Sequence, residues 1–177
     1  MPLEPKIRQA FDEACEYDAE LPLRLLFGVH PEASQDQEFL NRLLSDWIGS
    51  SVEILDCLAL HGADIHHKPD PTMPEGLAWT AVVVDSNHGL RWLLVQGVEV
   101  NFEKNGQLRC SALDAAARGG NLEAVQLLVQ HGGLFNAINE VVGETSLSAA
   151  MKRGHQEVVE FLRSVGAKTP VELGWKG

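Results

Sequence analysis

The chain has 177 residues, 45% of them hydrophobic and 22% charged, which suits a single domain with a buried core and excludes wholesale disorder. Its 25 acidic and 14 basic residues give a formal net charge of −11, which argues against nucleic acid and anionic membrane as partners. Residues 1–64 hold 13 of the acidic and only 4 of the basic residues. This acidic third is interpreted as a solvated face, with an acidic docking patch as the alternative.

The cysteines indicate where the protein works. Cys15, Cys57 and Cys110 are odd in number, and none has a partner at zinc-ligand spacing. We therefore expect an intracellular, reducing compartment (cytoplasm or nucleus) and neither a disulfide framework, a metal nor a cofactor. No apolar run reaches the roughly 20 residues of a membrane span, and residues 1–13 lack the apolar stretch of a secretory signal.

Two helices are predicted before residue 29. The first covers residues 5–15, and the second starts near Pro22, because proline suits a first helical position. Residues 21–28 end in apolar side chains followed by Gly28, and residues 29–37 are predicted as a loop. We interpret residues 1–34 as a helical N-terminal cap or a divergent repeat, with the acidic residues supplying a polar outer face.

Four later segments end alike, in a glycine that follows an amphipathic helix. The glycines lie 35, 35 and 34 residues apart, at Gly62, Gly97, Gly132 and Gly166. In the third segment the apolar stripe has helical spacing, at Leu122, Val125, Leu128 and Val129. Glycine closes such a helix because it adopts the left-handed conformation without a Cβ clash. The period therefore indicates a repeat protein.

A second, shorter helix precedes each amphipathic helix in the later copies. Ser111 and Thr145 stand where N-caps are expected, and both helices are rich in alanine, which allows close packing. Glycines at positions 119–120 and 154 then break the chain between the two helices. The repeating unit is thus helix, tight turn, helix, glycine stop and polar loop.

These units resemble ankyrin repeats. The fourth copy matches the family pattern at Thr145, Leu147, Ala150, Gly154, His155, Val158, Val159, Leu162, Gly166 and Ala167. The third copy matches at Ser111, Leu113, Ala116, Ala117, Gly120, Val125, Leu127, Leu128, Gly132 and Asn136. The second copy has Trp79 in place of the family's histidine and Asp85-Ser86 in place of its Gly-His, and the first copy is the most degenerate.

The resemblance implies an all-α fold, an ankyrin-type helix-turn-helix solenoid with short hairpin-like fingers. We expect one domain over residues 1–177, with four repeats at residues 35–169 and a C-terminal tail at residues 170–177. A solenoid of this kind has a concave groove of inner helices and fingers. The implied function is a protein–protein interaction module, an adaptor or small regulator.

The resemblance also implies which residues face the groove. The expected partner-binding residues are Glu75, Trp79, Val83, Arg109, Arg118, Glu144, Lys152 and Arg153. Basic residues concentrate in the C-terminal half, so the groove is expected to run from acidic to basic and to accept a protein with an acidic segment. Solvated surface charge is the alternative interpretation. The oligomeric state is left open.

A second hypothesis is a small enzyme or small-molecule-binding protein that uses a pocket in the groove. Its candidate residues are His66, His67, Asp70, Trp79, Asp114 and Arg118. The adjacent histidines lack a third ligand at metal spacing, and no standard catalytic motif is present, so no catalytic residue is assigned. Trp79 is interpreted either as an aromatic anchor or as a ring that fills space between units.

Overall fold

The computed structural model describes residues 3–68, 76–104, 107–109, 111–139 and 142–176. In this part of the chain ten α-helices follow one another in five pairs. They are α1 Pro5–Glu16, α2 Glu20–Val29, α3 Gln37–Asp46, α4 Val52–Leu60, α5 Gly76–Val83, α6 Asn87–Val95, α7 Ser111–Gly119, α8 Leu122–Gln130, α9 Ser146–Arg153 and α10 Gln156–Ser164. None of these helices is long and apolar enough to cross a membrane.

The helix pairs stack into a solenoid, as the sequence predicts. The second helices of the pairs contact one another in chain order, α2 to α4 to α6 to α8 to α10, and the first helices α5, α7 and α9 do the same. One hydrophobic core runs through the whole stack, from Phe11 in α1 to Leu162 in α10. Each pair thus buries its apolar face against its neighbours, which is how repeat proteins gain stability.

A short antiparallel hairpin forms one of the fingers between pairs. Strand β1 (Phe102–Lys104) pairs with β2 (Gln107–Arg109), and Phe102 lies opposite Arg109. Further along the chain, Asn139 and Glu144 form an isolated antiparallel bridge. The predicted all-α solenoid with short hairpin-like fingers is therefore confirmed.

The four repeating glycines occupy equivalent places, as predicted. Each follows the C-cap of a second helix, and the φ angles are 100°, 80°, 84° and 87° at Gly62, Gly97, Gly132 and Gly166. In every case the next residue donates its backbone N–H to a carbonyl five residues earlier, such as Ala63 to Leu58 and Ala167 to Leu162. The same stop therefore ends α4, α6, α8 and α10.

The turns inside four of the pairs also share one geometry. A buried alanine accepts a hydrogen bond from the backbone N–H five residues later, at Ala14, Ala81, Ala116 and Ala150. The residue four positions after each alanine has a positive φ, namely Asp18 (50°), Asp85 (58°), Gly120 (77°) and Gly154 (78°). The pair α1–α2 therefore turns in the same way as three of the later pairs.

The N-terminal predictions need three corrections. Helix α2 starts at Glu20 rather than near Pro22, and it continues through Gly28 to Val29, so Gly28 is not a helix stop. Residues Pro31–Gln35 form a 3-10 helix rather than a loop, because Pro31 suits a first helical position. The outer face of this end is not uniformly polar, since the side chains of Leu21 and Leu25 are exposed there.

Candidate functional site

Four of the five inner helices described, all but α3, present equivalent side chains that change in character along the stack. Two residues after the turn alanine, α1 carries Glu16, α5 carries Val83, α7 carries Arg118 and α9 carries Lys152. Glu16, Val83 and Lys152 are exposed, and Arg118 is half-buried. Read from the N-terminal to the C-terminal end, this row of side chains is acidic, then apolar, then basic.

Three of the predicted site residues meet around one carboxylate. Glu144 is buried, and its Oε1 accepts a hydrogen bond from Nζ of Lys152 at 2.9 Å. Its Oε2 lies 2.7 Å from Nη2 of Arg118, which reaches it from the preceding unit. The hydrogen bond from Lys152, together with the charge of Arg118, lowers the pKa of Glu144 below its usual range. The carboxylate therefore pairs with cations of two neighbouring inner helices, the half-buried Arg118 and the exposed Lys152.

The backbone at Arg118 is held as well. Nε2 of His155 donates a hydrogen bond to the carbonyl oxygen of Arg118 over 2.9 Å. The ring of His155 also lies against Gly120, where a Cβ atom would overlap it. His155 therefore has a structural role, because it fixes the third unit against the fourth.

The other predicted site residues fall in different surroundings. Arg153 is exposed beside Lys152 at the end of α9. Trp79 lies in α5 and is partly buried against the hydrophobic core. Glu75 lies outside the described residues, and Arg109 belongs to β2 with a side chain that the structure does not describe.

The residues of the small-molecule hypothesis have structural contacts of their own. Nδ1 of His67 lies 3.2 Å from the side-chain amide nitrogen Nδ2 of Asn41 in α3. Asp114 in α7 accepts a hydrogen bond from the hydroxyl of Ser146. His66 is exposed, and Asp70 lies outside the described residues. Among the described residues, no three His, Cys, Asp or Glu side chains are grouped as metal ligands.

Sequence reasoning missed a set of asparagines that join consecutive loops. The Asn101 side chain donates to the carbonyl of Gly132 and accepts from the backbone N–H of Leu134. Asn136 accepts from the N–H of Lys168 in the same way. The 35-residue spacing of Asn101 and Asn136 was the available signal, because it equals the repeat period. These bonds fix the loops beside the row of inner-helix side chains.

Comparison with known proteins decides the family. The family described as "Ankyrin repeats (3 copies)" matches residues 77–172, more than half of the chain. The chain belongs to the ankyrin repeat family. Ankyrin repeats are generally protein–protein interaction modules.

Three curated relatives each match part of this chain. They are "Ankyrin repeat and KH domain-containing protein mask-1" of Caenorhabditis elegans (30% identical over 58% of this chain), "Putative ankyrin repeat protein FPV031" of Fowlpox virus strain NVSL (29% over 46%) and "BRCA1-associated RING domain protein 1" of Caenorhabditis elegans (34% over 46%). The matched segments make up 4%, 24% and 11% of those proteins. The similarity therefore concerns the repeats rather than the whole relatives.

Proposed function

We propose that this chain binds another protein through the ends of its inner helices, with an acidic segment of the partner lying on the C-terminal half. The observation that carries the proposal is the row Glu16, Val83, Arg118 and Lys152, which places acidic, apolar and basic side chains at equivalent positions. A graded row of this kind fixes the direction in which a partner lies, because like charges repel and opposite charges attract. The chain would then act as an adaptor or small regulator.

The basic end is arranged before any partner arrives. Glu144 holds Arg118 and Lys152 in place, so less side-chain freedom is lost when a partner binds. One carboxylate against Arg118, Lys152 and Arg153 leaves the cluster with a net positive charge. Arg153 is exposed and is the cation with most freedom to contact a partner.

We also propose that residues 1–177 form one domain in which α1–α2 is a divergent fifth repeat followed by the four repeats of residues 35–169. The shared turn geometry of Ala14 with the later alanines supports this arrangement. The tail follows the last repeat and packs against it, since Arg163 pairs with Glu172 and the ring of Trp175 lies against Gly143.

The first experiment identifies the partner and locates its contact. The full chain is used to capture proteins from its native source, and the captured protein is titrated against wild type and Arg153→Glu. Reversing the charge of Arg153 is expected to weaken binding about tenfold, the range of a well-placed charge pair at an interface. Lys176→Glu is the matched control, because it makes the same change of charge in the tail and should leave the affinity unchanged.

Three results would contradict the proposal. If Arg153→Glu and the double substitution Lys152→Gln/Arg153→Gln both bind like wild type, the basic end is not the contact. If no protein partner is captured, the chain is not an adaptor. A weakening by Lys176→Glu equal to that by Arg153→Glu would show a general effect of net charge instead of a local contact.

We place the protein inside the cell, in the cytoplasm or nucleus. Cys15 and Cys57 are free and buried, which suits a reducing compartment. Burial raises the pKa of Cys15 to about 12, so this thiol stays protonated and unreactive at neutral pH. No observation on the described residues favours the small-molecule hypothesis over protein binding.

A further inference from the structure

A groove at the N-terminal end of the stack lies away from the basic residues Arg118 and Lys152 of the proposed binding surface. It has a volume of about 470 Å³ and runs between α1 and α2. Three of the apolar side chains that line it are largely exposed, Tyr17 by 77%, Leu25 by 66% and Val29 by 70%. Leu23 and Phe27 of the same helix are buried in the core. Helix α2 is therefore apolar on two sides, and only one side is covered by the stack.

The exposed side of α2 differs from that of every later second helix at Leu25, whereas Val29 corresponds to the equally apolar, exposed Leu60 and Val95. Leu25 lies five residues before the C-cap residue of α2. The same position is held by Asp56 in α4, Arg91 in α6, Gln126 in α8 and Glu160 in α10. These four polar side chains retain solvent contact although each of their helices has another unit stacked before it. A preceding ankyrin unit would consequently leave Leu25 in solvent. The apolar surface extends beyond what a repeat of this fold covers.

A carboxylate stands inside this groove. Glu13 is one of its lining residues, and its Oε1 accepts a hydrogen bond from the side chain of Gln9 over 2.9 Å. Glu13 stands one residue before the turn alanine Ala14. In the later units, whose first helices pack against one another, the equivalent position holds Thr80, Ala115 and Ala149. Covering Glu13 with an apolar surface would remove its charge from water, which is costly without a cationic partner.

The charge of this end also speaks against a second copy of the chain. Residues 1–64 carry 13 acidic and 4 basic residues. A dimer formed through two N-terminal ends would therefore bring negative charges together, including the two Glu13 carboxylates. A basic partner would gain from the same charges. The groove thus combines apolar lining residues with one carboxylate, Glu13, that a cationic partner residue would stabilise.

We propose that the groove between α1 and α2 binds an amphipathic helix of a partner protein. Apolar residues of that helix, spaced i, i+3, i+4 and i+7, would cover Tyr17, Leu25 and Val29. A lysine or arginine of the helix would pair with Glu13. The proposal does not depend on the basic end of the inner-helix row, because Arg118 and Lys152 lie on α7 and α9, whereas the groove lies on α1 and α2.

Two labelled synthetic helices test the proposal on the full chain. Both are about 18 residues long, five helical turns, with a leucine stripe, and they differ only in lysine or glutamate beside the stripe. Fluorescence anisotropy should show the lysine peptide binding about tenfold more tightly than the glutamate peptide. Leu25→Asp, which installs the residue type that α4 carries as Asp56, should weaken the lysine peptide about tenfold, because burial of one leucine side chain is lost.

Two further variants complete the design. Val95→Asp is the matched control, since Val95 is also an exposed apolar residue, at the end of α6 and away from the groove, and the substitution should leave the affinity unchanged. Glu13→Lys should reverse the preference, so that the glutamate peptide becomes the tighter ligand. Circular dichroism of each variant, compared with wild type, verifies that the helices are retained.

Three outcomes would overturn the proposal. Equal affinity of wild type and Leu25→Asp for the lysine peptide would show that the groove is not the site. If Glu13→Lys still bound the lysine peptide more tightly than the glutamate peptide, Glu13 would not be the residue that contacts the charged side chain of the helix. Sedimentation of wild type as a dimer that Leu25→Asp converts to a monomer would identify a second copy as the occupant.

Discussion

At the scale of single residues, Glu144 is the most constrained charge in the described part of the basic cluster. Its side chain is 11% exposed and contacts Arg118 at 2.7 Å and Lys152 at 2.9 Å. These contacts stabilise the ionised carboxylate, which is why its pKa is lowered. The residue therefore contributes both to the geometry of the cluster and to the pH dependence of the fold.

We predict that Glu144→Gln lowers the free energy of unfolding by about 1 kcal/mol at neutral pH, the range of a partly buried charged hydrogen bond. The loss should shrink as the pH falls, because a lowered folded-state pKa gives stability that is present above the ordinary carboxyl pKa and lost below it. Urea denaturation at several pH values measures both effects. Glu16→Gln, at an exposed carboxylate, should change little.

Substitutions at Gly120 and Gly154 allow the cost of backbone strain to be distinguished from the cost of steric overlap. Both have nearly the same positive φ, 77° and 78°. A Cβ at Gly154 would meet nothing within 4 Å, whereas a Cβ at Gly120 would overlap the ring of His155. The two positions therefore impose the same conformational cost and differ only in packing.

We expect Gly154→Ala to cost about 1 kcal/mol of unfolding free energy from left-handed strain alone. Gly120→Ala should cost at least about 1 kcal/mol more, because His155 must also move away from the carbonyl of Arg118. Thermal and urea unfolding of the two variants provide the comparison. Equal losses would show that the His155 ring shifts without cost.

At the scale of helices, the contact between the first and second repeats depends on a missing side chain. Helix α6 approaches the preceding unit so closely that a Cβ at Gly89 would overlap the carbonyl oxygen of Ile48. Nearby, the hydroxyl of Ser86 donates to the same carbonyl and accepts from the N–H of Gly89. The glycine thus serves packing between units rather than the helix itself.

We predict opposite effects for two helical glycines. Gly28→Ala in α2, where nothing lies within 4 Å, should raise the free energy of unfolding by about 0.5–1 kcal/mol, because alanine favours the helix. Gly89→Ala should lower it by at least about 2 kcal/mol, because α6 must move away from Ile48. Urea unfolding of both variants checks the signs, and stabilisation by both would mean that the stack yields easily.

The sequence predicted the repeating elements far better than the ends. Glycine positions such as Gly62 and Gly132 reveal helix stops, because few other residues adopt a positive φ. The same rule failed at Gly28, which lies in an ordinary helical turn, since a glycine does not force a stop. The meeting of Arg118, Glu144 and Lys152 was also invisible, because it depends on how one unit is placed on the next.

At the scale of the whole molecule, the two ends of the stack are unlike. The C-terminal end is covered by the tail, where Glu172 accepts hydrogen bonds from the backbone of Thr169 and from Arg163. These bonds lower the pKa of Glu172 to about 2. The N-terminal end instead leaves the apolar residues of α2 uncovered.

We predict that acid loosens the C-terminal tail before it unfolds the stack. The folded pKa of Glu172 is about 2, so its contribution is full above the ordinary carboxyl pKa and disappears as the pH falls from about 4 towards 2. Protection factors of the amides in residues 169–175, which are corrected for the intrinsic pH dependence of exchange, should fall over this interval. Glu172→Gln should show the lowered protection already at neutral pH, and constant protection factors in wild type would contradict the assignment.

The sequence by itself determined the kind of unit and its number of copies after residue 35, because each copy repeats the same local requirements for helix, turn and glycine stop. Only the tertiary structure decided which charges are paired and which apolar residues stay uncovered. The ion pair of Arg118 with Glu144 joins two units, and Leu25 is exposed on a helix that buries Leu23 and Phe27. Contacts between units depend on the relative placement of helices that lie some 35 residues apart, which no local pattern encodes.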